Sequence, residues 1–187
     1  TAIPTHRMTN MTFRDESDLD LSILRDIIYP PVTSVVMGFR RDQIRHSLEG
    51  LGMLVPKVER KNILGTIFSS SLFENRAPEG YVTLSTYIGG MRQPDHALLG
   101  DQEMDRLILK DLEALLGVRG EPAFINRRVW KKAIPQYTVG YGKILDRFNE
   151  LEAAHSGLFF AGHYRNGISL GDSILAGLDV THRINQQ

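Results

Sequence analysis

The sequence predicts a mixed α+β fold: a largely antiparallel sheet with helices packed on it, followed by a closing strand–helix unit. Three observations lead there. Four strand-like runs lie between Val32 and Gly89, joined by connections short enough for antiparallel neighbours. Asp101–Leu116 has helical apolar spacing, with Met104, Leu107, Ile108, Leu112, Leu115 and Leu116 on one face. Finally, the apolar run Leu158–Phe159–Phe160–Ala161 leads into a loop spaced by Gly162, Gly167 and Gly171, and then into a helix.

Each element follows from local chemistry. Residues 1–10 read as the tail of a strand and a loop, and Thr12–Glu16 is polar. Leu21, Ile23, Leu24, Ile27 and Ile28 suggest a short helix that Pro30 and Pro31 stop. Val32–Arg40, rich in β-branched residues, is the first strand; Gly52–Pro56, Ile63–Ser70 and Tyr81–Gly89 follow, with Asn75, Pro78 and Gly80 as turn formers. Asp101 is placed to cap the long helix and Gly117 to end it. Glu121–Trp130 reads as a strand, and Gly142–His155 as a helix with Ile144, Leu145, Phe148 and Leu151 inward. Leu158–Ala161, without polar alternation, reads as a strand buried on both faces. Ser169 or Asp172 can cap the last helix, whose apolar face is Leu170, Ile174 and Leu178.

Buried strand, glycine loop and helix N-terminus together let backbone N–H groups approach an anionic or electron-rich ligand. Many α/β proteins carry such a unit and bind nothing there.

Bulk composition narrows the function classes. Lysine plus arginine equals aspartate plus glutamate at 22 each over 187 residues, so charge offers no argument for nucleic acid. The absence of cysteine removes disulfides, cysteine-bound zinc and thiol chemistry, and fits a reducing compartment such as the cytoplasm. The six histidines show no metal-ligand spacing, so no metal site is expected. No apolar run approaches the length of a membrane span.

Several motifs, in order along the chain, carry a resemblance. Pro31–Gly38, Gly50–Pro56, Gly65–Phe73 with Arg76–Ala77–Pro78, Gly89–Gly90, Ile134–Pro135–Gln136–Tyr137 with Gly140, and the Gly157–Gly177 stretch resemble the protoporphyrinogen oxidase branch of the flavin amine oxidase superfamily. The resemblance covers nearly the whole chain and is weakest in the first two dozen residues. It implies an FAD-dependent oxidase that converts protoporphyrinogen or coproporphyrinogen to the porphyrin in successive two-electron steps, with dioxygen as acceptor. Members of that family are more than twice this long and begin with a Gly-x-Gly-x-x-Gly turn for the FAD pyrophosphate. Here the Gly-x-Gly pairs are Gly50/Gly52 and Gly140/Gly142, and neither has the third glycine in register. The expectation is therefore a C-terminal portion with an incomplete FAD site, inactive alone. Residues 1–31 would form a linker or edge segment, 32–156 the substrate-binding domain, and 157–187 the closing strand and helix of the FAD domain.

By the same resemblance, Trp130, Gly162, His163, Gly167, Ile168, Ser169 and Leu170 are the flavin-binding candidates. Gly162 and His163 would lie near the ribityl and pyrophosphate portion, and the amides of Ile168, Ser169 and Leu170 at the pyrimidine edge. His163 stands where many members have glutamate or asparagine. Pro135, Gln136 and Tyr137 carry the most specific signature, and turn geometry alone could explain it. Met8 and Met11 are the loose counterparts of apolar residues that sandwich the macrocycle, and Trp130 is as readily a packing residue. The propionates call for a cation, with Arg7, Arg40, Arg92 and Arg128 as candidates. No catalytic side chain is expected, because hydride transfer to a flavin needs positioning and water exclusion instead of a nucleophile. Two other readings stay open: a portion of an amine oxidase or carotenoid desaturase, and a porphyrin-binding module without redox chemistry. The partners implied are the porphyrinogen and FAD, with peripheral membrane contact left open. An apolar strand deprived of its neighbours would also favour a homodimer or a local rearrangement near the C-terminus.

Overall fold

The computed structural model describes residues 3–11 and 19–186. The polar stretch Thr12–Glu16 lies outside the described residues. Its helices are α1 (Thr5–Met8), α2 (Ser69–Leu72), α3 (Asp101–Leu116), α4 (Gly142–Ala154) and α5 (Leu170–Ile184). Its strands are β1 (Val32–Arg40), β2 (Gly52–Leu54), β3 (Ile63–Phe68), β4 (Tyr81–Gly89) and β5 (Phe124–Trp130). The chain divides into two units, Pro30–Ala133 and the pair of segments Thr1–Tyr29 and Ile134–Gln187.

The first unit is a five-stranded sheet in the order β2-β3-β4-β1-β5, with every pairing antiparallel. Strand periodicity of two decides its faces. Val35, Met37 and Phe39 of β1, with Leu84 and Ile88 of β4, are fully buried on one face. Met104, Ile108 and Leu112 of α3 join them in one core cluster. The predicted helix thus occurs over its predicted span. Gly100, not Asp101, occupies the N-cap position without a side-chain cap, and Gly117 ends the helix in the left-handed conformation. Asp101 instead sits in the first turn, where its charge suits the dipole.

Two polar anchors tie α3 to the sheet. The Asp111 carboxylate, 2% exposed, accepts from the backbone N–H groups of Asn62 (2.5 Å) and Ile63 (3.1 Å) at the start of β3. Arg127 of β5 forms a two-point ion pair with Asp105, its Nε donating to Oδ1 at 2.9 Å. The third predicted strand ends early, at Phe68, because Ser69–Leu72 turns into the short α2.

In the second unit, α1, α4 and a 3-10 turn at Ser22–Asp26 surround a second core. That turn replaces the short helix expected near Leu21–Ile28. Phe148 of α4 contacts Phe160 (centroids 4.8 Å apart) and Tyr164 (5.4 Å).

The closing stretch departs from the sequence reading in two respects. Leu158–Ala161 has no regular secondary structure and pairs with no strand among the described residues. Phe160 and Ala161 are nonetheless buried, at 1% and 8% exposure. The Phe160 N–H donates to the Glu152 carboxylate at 2.6 Å, and its carbonyl accepts from Arg165 at 3.0 Å. A buried backbone segment needs hydrogen-bond partners, and for Phe160 side chains of α4 and the following loop supply them where a neighbouring strand would have done so. The second departure concerns α5. Leu170, Ile174 and Leu178 do share a face, but that face is exposed, at 80%, 57% and 53%. Periodicity shows which residues lie together, and not whether anything covers them.

Candidate functional site

Each unit contributes a candidate site. In the second unit it is the glycine loop leading into α5. Gly162 (φ 129°) and Gly167 (φ 128°) both occupy backbone conformations that disfavour side chains, and a Cβ on Gly167 would collide with the Asp172 carboxylate group. Between them the chain turns tightly, with the Arg165 N–H bonded to the Gly162 carbonyl at 3.0 Å.

Tyr137 clamps this loop from the Ile134–Tyr137 signature. Its hydroxyl donates to the His163 carbonyl at 2.7 Å and accepts from the Gly167 N–H at 3.1 Å. Its ring lies 4.6 Å from that of Tyr141, whose hydroxyl donates to the Tyr164 carbonyl at 2.6 Å. Burial raises the ionisation of both phenols above the ordinary range, so both remain protonated donors at neutral pH. The His163 imidazole is half-buried and packs edge-on to Tyr29 at 5.9 Å. Burial holds its pKa below the usual histidine value, which favours the neutral ring.

The loop ends in a capping box. The Asp172 N–H donates to Ser169 Oγ at 3.0 Å, and the Ser169 N–H donates to Asp172 Oδ2 at 3.1 Å. Both cap candidates are therefore used, one at each end. The cap engages the Ser169 amide, whereas those of Ile168 and Leu170 donate to no described acceptor. Those two amides, at a glycine-permitted approach and a helix N-terminus, suit the electron-rich edge of a flavin ring. The residues present thus fit one end of that cofactor, while the sequence offers no dinucleotide turn for the other.

One ion cluster supports the whole loop. The Glu152 side chain, 7% exposed, pairs with Arg165 and with Arg183 of α5, the latter at 2.5 Å. Arg165 also reaches Asn149 Oδ1 at 2.7 Å. Burial alone would raise the Glu152 pKa, but its bonds to Arg165, the Phe160 amide and Arg183 together hold it below the ordinary range. Nothing in the sequence pattern marked Glu152, because its partners lie well apart in the chain.

The remaining candidates are dispersed. Met8 is fully buried within the core of the second unit, whereas Met11 is 45% exposed. Both line a shallow cleft of about 240 Å³ with Leu19 and Arg25. Trp130 belongs to the first unit, half-exposed at the end of β5 with the Arg128 guanidinium 5.1 Å from its ring. Arg40 is paired with Asp42 at 2.6 Å, and Arg92 donates to the Val55 carbonyl at 2.7 Å. Arg7 lies exposed on α1.

In the first unit, the face of the sheet opposite α3 carries a cleft of about 710 Å³. Val36, Ile67, Phe73, Tyr87 and Phe124 form its apolar walls, and Arg76 is its only charged lining residue among those described. The volume suits a small-molecule ligand. Arg76 is not among the cations expected from the sequence, although it stands in the Arg76–Ala77–Pro78 motif. Among the described residues there is no group of acidic, histidine or cysteine side chains able to hold a metal, and no helix long and apolar enough to cross a membrane.

Comparison with known proteins places this architecture. Residues 2–185 match the family model for flavin containing amine oxidoreductase. The mitochondrial protoporphyrinogen oxidase of Nicotiana tabacum is 36% identical over 160 residues, covering 84% of this chain and 32% of the relative. The coproporphyrinogen III oxidase of Bacillus subtilis is 25% identical over 158 residues, covering 84% and 34%. In fold, the chain superposes over its full length on 40% of a crystal structure provisionally assigned as a protoporphyrinogen oxidase of Exiguobacterium sp. 255-15, with a TM-score of 0.79 at 22% identity. The chain spans about a third of the length of the curated relatives it matches. It belongs to the flavin containing amine oxidoreductase family.

Proposed function

We propose that this chain is the substrate-facing portion of an FAD-dependent porphyrinogen oxidase of tetrapyrrole biosynthesis, acting on protoporphyrinogen or coproporphyrinogen. The similarity to porphyrinogen oxidases of plants and bacteria supports this reading, and so does the open apolar sheet face, which Arg76 lines as the one charged residue among those described. FAD, when bound, would accept the hydride and pass electrons to dioxygen. The chain's own contribution is positional. The loop Gly162–Leu170, with its two available amides, would meet the flavin ring, held by Tyr137 and by the Glu152 cluster. The sheet-face cleft would hold the macrocycle and exclude water from it. No side chain needs to act as nucleophile, acid or base, so the reaction would depend on approach and orientation. Trp130 would contribute apolar surface on the first unit, and Met11, with the buried Met8 behind it, on the second.

The test is a pair of titrations on the purified chain, FAD in one and protoporphyrin IX in the other, followed by absorbance and fluorescence. Porphyrin binding without stoichiometric FAD binding is expected. Tight FAD binding by the chain alone would refute the view that its dinucleotide site is incomplete. Absence of saturable binding in the protoporphyrin IX titration would remove the porphyrinogen reading.

A further inference from the structure

The cleft in the first unit combines three features. Its floor is the solvent-side face of β1 and β4, where Val36, Ser85 and Tyr87 alternate with the fully buried Val35, Leu84 and Thr86. Its rim is a short segment, Phe73–Gly80, fixed across the sheet. The Thr83 hydroxyl donates to the Arg76 carbonyl at 2.8 Å, while the Thr83 N–H donates to Ser70 Oγ at 3.0 Å. On that rim the Arg76 guanidinium lies 5.6 Å from the centroid of the Phe73 ring. No carboxylate among the described residues pairs with it.

Several arginines of the same unit have side-chain partners, whereas Arg45, Arg60, Arg106, Arg119 and Arg128 form no ion pair among the described residues. Arg127 pairs with Asp105 and Arg40 with Asp42, and the side chain of Arg41 donates to the carbonyls of Ile44, His46 and Ser47. Arg76, like Arg128 over Trp130, has a ring contact and no anion, but of these arginines Arg76 alone lines the cleft. An aromatic face orients a guanidinium but does not neutralise it. Apolar walls select flat hydrocarbon, and the fixed guanidinium at the edge selects a planar two-oxygen acceptor.

We infer that Arg76 is the carboxylate anchor of this cleft, binding the acidic arm of a flat, largely apolar ligand whose ring system lies on the β1–β4 face. The ligand's identity as a porphyrin propionate rests on the function proposed above; the anchoring role itself does not. Thr83 and Phe73 act as positioning residues, one holding the Arg76 backbone and the other its side-chain direction.

The experiment compares an acid with its ester, so that the charge is isolated from the ring. The 187-residue chain and its Arg76→Gln, Arg76→Lys and Arg40→Gln variants are titrated with 1-pyrenebutyrate, its methyl ester, protoporphyrin IX and protoporphyrin IX dimethyl ester. Arg76→Gln should weaken binding of both acids about tenfold or more, the size of a charge-assisted hydrogen bond. It should leave the esters unchanged. Arg76→Lys should recover part of the loss, and Arg40→Gln should behave as the parent. Because Arg76 is exposed and its side chain makes no hydrogen bond to a described residue, circular dichroism should be unaltered. Equal affinity of the parent and Arg76→Gln for the acids, or failure of the parent to bind 1-pyrenebutyrate, would overturn the anchor. Arg76-dependent binding of 1-pyrenebutyrate without porphyrin binding would support the anchor and defeat the porphyrinogen reading. Porphyrin binding indifferent to Arg76 would do the reverse.

Discussion

The hydroxyl of Tyr137 donates to the main-chain carbonyl of His163, 26 residues further along the chain. With the Gly167 N–H donating to the Tyr137 hydroxyl oxygen, one side chain closes both ends of the glycine loop. This gives the Ile134–Tyr137 signature a structural purpose beyond turn geometry. A phenol can offer one donor and one acceptor simultaneously, and both are used here.

Tyr137→Phe should remove both bonds while keeping the ring contact with Tyr141. The cost should be about 1 kcal/mol per bond or less, since the residue is half-exposed. Hydrogen exchange should speed up at residues 163–167 and stay unchanged in the sheet unit. Unaltered exchange in the loop would show that the clamp is dispensable.

Glu152 is the counterpart of that clamp on the side of α4. Glu152→Gln keeps an acceptor for the Phe160 amide but leaves two arginines without their anion. A loss of about 3 kcal/mol is expected in chemical denaturation of the second unit, as for a broken buried pair. Because the folded-state pKa lies below the unfolded one, this stability is present above the ordinary glutamate range. It is lost as pH falls through the lowered value. The variant should therefore flatten the acid limb of stability against pH.

Alkaline pH should act through the tyrosines. Tyr29, Tyr141 and Tyr164 are each held above the ordinary phenol pKa, chiefly by burial. Their contribution is complete below about pH 10 and is lost as pH rises through the raised values. Absorbance at the phenolate band should thus show a delayed group of tyrosines that ionise together with unfolding.

Asp111 supports the other unit. Asp111→Ala leaves the amides of Asn62 and Ile63 without their shared acceptor, and the second lies in a buried position. A loss of about 2–3 kcal/mol is expected. Faster exchange should appear first at the start of β3, and a uniform change across the sheet would argue for a different cause.

The exposed face of α5 should make the isolated chain sticky. Replacing Leu170, Ile174 and Leu178 together by serine should lower dye binding and any concentration-dependent association in sedimentation velocity. All three lie on the solvent side, so helix content should fall little. Persistent association after the triple change would locate the contact elsewhere.

Much of the sheet unit was legible because local pattern and final burial agree there. Alternation in Val32–Arg40 and Tyr81–Gly89 places Val35, Met37, Leu84 and Ile88 in the core, and the helical stripe of Asp101–Leu116 meets them. That the stretch from Gly162 to Leu170 is a glycine loop ending in a helix cap was legible, since glycines and a cap signal are local features. Its support was not legible. Tyr137, Glu152 and Arg183 act on the loop across 13 to 31 residues of chain, and no spacing rule encodes such contacts.

By itself, then, the sequence determined secondary structure wherever apolar periodicity was strong, the capping of α5, and kinship with flavin containing amine oxidoreductases. Tertiary structure alone decided that, among the described residues, side chains and not a strand hold Leu158–Ala161, that α5 turns its apolar stripe outward, and that Arg76 is the one charged residue lining an apolar cleft. The reason is physical. Propensity and periodicity act over a few residues, whereas burial, pairing and the isolation of a charge depend on which distant groups come within bonding distance.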